Sequence, residues 1–493
     1  MSDRPFWADL HNHNSVGYAA GSLARSYEIA QGSLLDVYCF TPHGPWHDMP
    51  TDDPKMVDFH RDGYRRVQDG WPDVQAAADK HYHPGQFVAF QGFEWHSSRF
   101  GDYHVIFPQR GELFAGPSFD ELQQFVRRRG AIMIPHHVGY RGGWRGANWP
   151  QLAPDVSPLV DVFSEHGCSM EAEFCMPMVL HSMGGSEKSQ TVVERLKRGL
   201  VAGLLASTDN HFGHPASYGE GLTGILADQL TRESVFDALR RRHTFAVTGD
   251  RIALDLRCGD AMMGDVLPAD PARELRYHVD ACGQIDSIRI IKNGRVAFNA
   301  PPPEPRDDVA NEESFIVRLS CGWDAMTSQE VTDWRITVDV ADGQIVDVLP
   351  CFAGGAGSVE KVNKVESVAP QRVALSAYTS RRNSKPISEV VLRIAGDVAT
   401  RVTVDVDARY KDESCDCRLA AAIGDLVERD EWAAVSKLFS APKIRLGQLH
   451  GASETRIDGA WTDPDPHDGD WYLLRVQQAN GHTAWSSPIW FAS

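Results

Sequence analysis

Short apolar runs in the first half of the chain end, one after another, in histidine or carboxylate. WADL (7–10) leads into His11-Asn12-His13, LLDVYCF (34–40) into Thr41-Pro42-His43, and QFVAFQGF (86–93) into Glu94. AIMIP (131–135) leads into His136-His137, LVDVFS (159–164) into Glu165-His166, and GLLAS (203–207) into Thr208-Asp209-Asn210-His211. Runs this short and this apolar read as strands buried on both faces, as in a parallel sheet. One helical pattern lies between two of them and another follows the last. In SFDELQQFVRRRG, Ser118 and Glu121 form a capping box, Phe119, Leu122, Phe125 and Val126 an apolar face, and Gly130 a stop. TRESVFDALRRR (231–242) is a second helix with Thr231 as its N-cap. Strand and helix in alternation predict an α/β fold. In a closed parallel barrel the C-terminal strand ends share one mouth, so all six polar sets would face one another.

The pattern changes near residue 250. RIALDLRC, ELRYHVDA, SIRIIKNGRVAF, SFIVRL, EVVLRIAG, TRVTVDVDA and WYLLRVQQANGHTAWSSPIW alternate as half-buried strands do. Asn293-Gly294 and Asn480-Gly481 are hairpin turns, and PPPEPRDD (301–308) is a loop that interrupts the series. At 493 residues the chain exceeds one ordinary domain. The expected division is a barrel over 1–248 and a β-sandwich-like region over 249–493.

A net charge of −18 argues against nucleic acid and against anionic membranes, both of which need basic patches. The first residues lack a basic segment followed by an apolar one, and no apolar run is as long as a membrane span. The nine cysteines are dispersed, with Cys415-Asp-Cys417 as the one close pair, which reads as a surface loop. Reduced thiols in the cytoplasm are the expectation.

Imidazole together with carboxylate suits Zn, Mn or Fe rather than a structural all-thiolate zinc site. In His11-x-His13 on a strand both rings point to one face, so both can reach one ion. A central carboxylate can bridge two ions, whose bound water is acidified toward neutrality. The bland readings are a turn pair before a helix for His11, His13 and Asp209, a surface acid for Glu94, and an exposed strand residue for His104. Six strand ends of one chemical type outweigh them. The loops rimming the mouth carry Arg99, Arg141, Arg145, Tyr218 and Glu220. YRGGWRGANW (140–149) reads either as a lid or as an irregular loop, with Arg141 and Arg145 able to grip an anionic group.

Taken together, DLHNH, TPHG, GFEW, DYHVIF, IPHH and STDNH resemble, in order and spacing over roughly residues 7–215, the motifs of the PHP (polymerase and histidinol phosphatase) metal-dependent hydrolases. TGDRIALDLRCGDAMMG, IRIIKNGRV and the C-terminal WYLLRVQQANGHTAWSSPIW resemble the longer members grouped with carbaryl (carbamate) hydrolases. The resemblance implies a distorted (β/α)7 barrel and two or three divalent ions per chain. It implies that His11, His13 and Asp209 bind the first ion, that Glu94 bridges, and that His104 and His136 complete the second. His43 and His211 would belong to a third position. The family usually places another ligand shortly after H-x-H, whereas this chain reads NSVGYAAGSLARS, with no ligand type before Glu28. His43 and His211 then serve instead as proton donors or substrate contacts.

The reaction expected is attack of a metal-bound hydroxide on an ester-type bond of a small molecule. Asp209 accepts a proton, and His211 or His43 protonates the leaving group. His137, Arg141, Arg145, Glu165, His166 and Tyr218 are the candidate substrate contacts. Carboxyl ester, carbamate or amide is favoured slightly over phosphoester. A non-catalytic module with a ligand-binding β region is the rival from another class. The β half either shields one barrel face or forms a homo-oligomer contact; the sequence leaves both open.

Overall fold

The computed structural model describes residues 4–180, 185–269, 273–303, 312–324, 331–411, 413–435 and 442–492. Most of the 301–308 loop therefore lies outside the described residues. The six apolar runs become the strands Phe6–Asp9, Val37–Phe40, Val88–His96, Ile132–Pro135, Leu159–Asp161 and Gly203–Leu205. The helix Phe119–Arg129 starts where the Ser118 hydroxyl accepts from the Glu121 N–H (3.3 Å) and stops at Gly130, whose φ of 60° is left-handed. Thr231 caps Arg232–Arg240 in the same way.

The expected closed barrel does not form. Phe6–Asp9, Val37–Phe40 and Val88–His96 lie side by side and parallel. The six-residue turn after His96 is too short for a parallel crossover, so Tyr103–Phe107 returns antiparallel. Ile132–Pro135 follows antiparallel to that strand, and Leu222–Ile225 pairs antiparallel with Phe6–Asp9. Among the described residues no backbone ladder closes the ring. Leu159–Asp161 and Gly203–Leu205 form a separate parallel pair across the gap. One side of that gap is tied by the Met133 N–H donating to the Val156 carbonyl (2.9 Å). The other is tied by hydroxyls, Thr244 donating to the Leu204 carbonyl (2.8 Å) and Thr223 to the Ala206 carbonyl (2.7 Å). The result is a mixed α/β, strand-rich layer whose strand ends still converge.

That sheet continues past residue 248. Thr244–Val247 pairs antiparallel with Thr483–Ser486, which pairs with Trp471–Gln478, and this strand pairs with Ile285–Lys292. The two hairpins turn at Asn293-Gly294 and Asn480-Gly481, and three of these four residues take positive φ. Ala261–Met262, Ala253–Cys258, Glu274–Asp280 and Arg456–Thr462 form a four-stranded antiparallel sheet, and the second half also holds a sandwich of two five-stranded antiparallel sheets. One runs 344–351, 387–395, 314–322, 443–451, 431–434, and the other runs 364–369, 372–379, 332–341, 401–410, 413–422. Val317, Leu319, Trp334, Ile336, Val338, Leu375, Leu392 and Val404 fill the space between them.

A buried polar network joins the halves. Asp250 accepts from Arg318 (2.9 Å), Tyr218 (2.9 Å), Gln478 (2.6 Å) and Asn480 (2.7 Å), while Arg318 also reaches Glu389 (2.8 Å). All nine cysteines are free. Among the described residues no helix is long and apolar enough to cross a membrane.

Candidate metal centre

Asp9, the acid of DLHNH, is buried and fastens the two chain segments that carry the H-x-H and Asp209 side chains. Its carboxylate accepts from the Thr208 N–H (3.1 Å), the Thr208 hydroxyl (2.6 Å) and the Ala216 N–H (3.0 Å). The backbone then interlocks, with Asp209 N–H donating to the His11 carbonyl (2.9 Å) and His13 N–H to the Asn210 carbonyl (3.0 Å). Asp209 takes a φ of 55°, a conformation that costs a non-glycine residue energy and that recurs at functional sites.

The side chains meet around two carboxylates. Asp209 Oδ1 lies 3.3 Å from His11 Nε2 and 3.0 Å from His13 Nε2. Glu94 Oε1 lies 2.9 Å from His136 Nε2, and Oε2 lies 3.5 Å from His13 Nε2 and 3.7 Å from His43 Nε2. His104 sits directly opposite Glu94 in the antiparallel ladder, its ring 4.6 Å from that of His11 and 5.5 Å from that of His136. His11 Nδ1 is held 2.6 Å from the Thr41 hydroxyl, which leaves Nε2 facing the cluster.

The donor set fits divalent cations. His11 Nε2, both ring nitrogens of His104 and of His136, and Glu94 Oε2 are buried without a hydrogen-bond partner. Buried polar atoms are ordinarily satisfied, and one orphan costs about 1–3 kcal/mol, so a concentration of them marks a ligand set. Ligand atoms of His11, His104 and His136, and of His11, His13 and Asp209, lie within 4.8 Å of one another. Burial, helped by neighbouring imidazoles, holds His13, His43, His104 and His136 well below the usual histidine range, hence in the neutral form that binds metal. Burial pushes the Glu94 carboxyl up to about 8, a penalty that a cation against its oxygens would relieve. Burial also raises Asp209, but His11 and His13 outweigh it and hold that carboxyl well below its ordinary value.

The remaining candidates divide. Glu165 accepts from His211 Nδ1 (2.8 Å), and although burial opposes it, this contact lifts His211 to about 9. His166 Nε2 lies 3.4 Å from Asp209 Oδ2, while its Nδ1 sits 2.9 Å from the Tyr140 hydroxyl. His137 and Arg145 both turn to Asp102, at 3.3 Å and 2.5 Å. Glu220 is buried and accepts from Asn210 (2.8 Å). Arg99 and Arg141 are exposed on their loops. Tyr218 stands apart from the cluster, committed to Asp250 in the network between the halves.

A cavity of about 620 Å³ opens on the cluster. His43, Glu94, His96, Glu165, His166, Asp209 and His211 form its polar floor, and Tyr18, Trp46, Met49, Met56, His60 and Trp144 its walls. A larger cavity, about 770 Å³ between Trp7, Arg251 and Arg393, contains none of the clustered residues. Sequence reasoning missed His96, Asp102 and Tyr18. His96 and Asp102 were within reach of it, because each lies two residues from a predicted ligand (Glu94 and His104) beside the same strand end. Tyr18 had no such signal.

A family model described as a protein of unknown function (DUF3604) matches residues 47–114 and 170–279. An uncharacterized protein of Chlamydia pneumoniae is 29% identical over 166 residues, which are 31% of this chain and 27% of that protein. One of Chlamydia trachomatis is 30% identical over 173 residues, 32% of this chain and 28% of that protein. The match thus spans little more than a quarter of the length of these curated relatives. Among solved structures, a two-domain protein containing a predicted PHP-like metal-dependent phosphoesterase from Bacteroides vulgatus is 11% identical, with a TM-score of 0.32. The likeness covers 85% of this chain and 97% of that one.

Proposed function

We propose that this chain is a metal-dependent hydrolase of the PHP type acting on small molecules. One observation carries the reading: buried imidazoles and carboxylates with unpartnered ligand atoms gather around Glu94 and Asp209, which line a cavity large enough for a small molecule. His11, His13, Glu94 and Asp209 would hold one divalent ion, and Glu94, His104 and His136 a second. When bound, the ions supply an acidified water and Lewis acidity toward the bond to be cleaved.

The chain's own residues then divide the labour. Asp209, whose Oδ1 lies 3.0 Å from His13 Nε2, would orient the attacking water and accept its proton. His211 lines the cavity with Nδ1 on Glu165, which favours the protonated ring, and with Nε2 3.2 Å from His43 Nε2, so that the His211–His43 pair would protonate the leaving group. The aromatic and methionine walls exclude water and favour an apolar substrate arm.

A carboxyl ester, carbamate or amide is the favoured bond. Arg145 is the one lysine or arginine among the described lining residues, and its Nε and Nη2 are committed to Asp102 at 2.9 and 2.5 Å. A phosphoester would gain from an uncommitted cation there. Comparing p-nitrophenyl acetate with p-nitrophenyl phosphate after metal reconstitution tests this choice. Turnover confined to the phosphate overturns the bond assignment, and no turnover on a broad panel by metal-loaded protein overturns the enzyme reading.

A further inference from the structure

We propose that the cavity of about 770 Å³ between the first half of the chain and the sandwich binds a small organic anion, a carboxylate or phosphate compound held by Arg251 and Arg393. The proposal does not depend on the hydrolase reading, because this cavity shares no residue with the cavity at the metal cluster.

Three parts of the fold meet here. The strands of the first half supply Trp7 and Phe87, the four-stranded sheet supplies Leu254 and Asp255, and the sandwich supplies Val348 and Arg393. The volume lies within the range of small-molecule sites, about 300–1,000 Å³.

Arg251 is the first of two observations. It lines the cavity, yet it is only 4% exposed, and a buried charge is ordinarily paired. Its Nη1 and Nη2 donate to the carbonyls of Leu34 and Ser33, and its Nε is buried without a hydrogen-bond partner. Among the described residues no carboxylate pairs with it. Burial holds the guanidinium below its ordinary value, with Asp36 and Asp347 opposing only in part. An arginine does not shed its charge, so what the group lacks is an anion.

Arg393, 5% exposed, is the second. Its Nη2 donates to Asp280 (2.5 Å), and its Nη1 is buried without a partner. Asp280 also accepts from Arg456 (3.1 Å), so one carboxylate serves two guanidinium groups. The other arginines of the wall are matched, Arg4 by Asp36 (3.0 Å) and Arg257 by Asp255 (2.6 Å). Asp347 stands exposed opposite Arg393 in the ladder, its Oδ1 accepting from the Val348 N–H (2.9 Å). With Arg456 included, five arginines face four carboxylates here, in a chain whose net charge is −18.

Two guanidinium groups with N–H bonds to spare call for an oxyanion, and the planar fork suits carboxylate and phosphate alike. Asp255 Oδ1 is also buried without a partner, so a hydroxyl or amine on the ligand would be received there. Such a ligand touches both halves of the chain and stabilises their junction.

The test is ligand-dependent stability. Metal-loaded protein is titrated with inorganic phosphate, glycerol 3-phosphate and malate at an ionic strength held constant with chloride, and the thermal midpoint is read by differential scanning fluorimetry. At least one of the three should raise the midpoint saturably, and which of them does so tells phosphate from carboxylate. Arg251→Gln should weaken that ligand about 10- to 100-fold, the loss of charge-assisted hydrogen bonds. Selenate soaked into wild-type crystals gives a readout that needs no variant. Its anomalous peak should lie in this cavity, with an oxygen within hydrogen-bonding distance of Arg251 or Arg393. No shift with any of the three anions, a shift that Arg251→Gln leaves unchanged, or no selenate peak in the cavity would overturn the proposal and leave the hydrolase reading untouched.

Discussion

The network around Asp250 gives a prediction whose size can be worked out. Asp250 and Arg318 are both buried, and Asp250 Oδ2 accepts three donors, from Arg318, Gln478 and Asn480. Asp250→Asn removes the charge that faces Arg318 and replaces one acceptor oxygen with a donor. Breaking a buried pair by removing one partner costs about 3–5 kcal/mol. The asparagine keeps one carbonyl oxygen and Arg318 keeps Glu389, so about 3 kcal/mol is expected, roughly a 100-fold shift in the unfolding equilibrium. Tyr218→Phe removes the hydrogen bond to Oδ1 and the oxygen that accepts from Arg318 (3.3 Å), and should cost about 1–2 kcal/mol. Urea unfolding followed by tryptophan fluorescence and by circular dichroism measures both. The effect should depend on pH with a definite sign. Burial pushes the Asp250 carboxyl up, but Arg318, His482 and Asn480 outweigh it and hold it below its ordinary value of 3.8. Its stabilisation is therefore present above about pH 4 and is lost as pH falls below that. The gap between wild type and Asp250→Asn should close in acid. A variant within 1 kcal/mol of wild type at pH 7, or a gap that widens in acid, refutes the reasoning.

Other consequences concern the cavity. Chelation should lower the thermal midpoint, and returning a divalent ion at 100 times its Kd should restore about 2.7 kcal/mol, read by differential scanning fluorimetry. Glu165→Gln leaves the ligand set intact but removes the carboxylate that orients His211, so kcat should fall about 10- to 100-fold with metal content unchanged. Trp46→Ala and Trp144→Ala should each raise KM about tenfold for substrates with an apolar arm while leaving kcat near wild type.

Much of the clustering of these side chains was legible because the residues stand at strand ends. That H-x-H, Glu94 after QFVAFQGF and the His136-His137 pair after AIMIP lie near one another needed only the strand period and the rule that strand ends converge, whereas the choice of His136 over His137 came from the resemblance to the PHP motifs. Ring closure was not legible. It depends on whether a connection is long enough for a parallel crossover, and the turn between His96 and Tyr103 is not. The helix Pro54–His81 also escaped the reading. Its exposed face is so polar that only Gly63, Val67, Trp71, Val74 and Ala78 trace a buried seam. Tyr218 looked like a rim residue because it sits in a polar, glycine-rich loop. Its partner Asp250 is 32 residues away, and Arg318 belongs to the other half of the chain. The pairing of Thr244–Val247 with the last strands spans over 230 residues and follows from no local pattern.

In the proposed centre Glu94 lies between bound divalent ions. X-ray absorption and anomalous scattering on metal-loaded wild-type crystals test it most directly. At least two ions are expected, one with His11, His13 and Asp209 and one with His104 and His136, each within bonding distance of a Glu94 oxygen. Ions bound only elsewhere on the chain, or none at this cluster despite saturating metal, would contradict it.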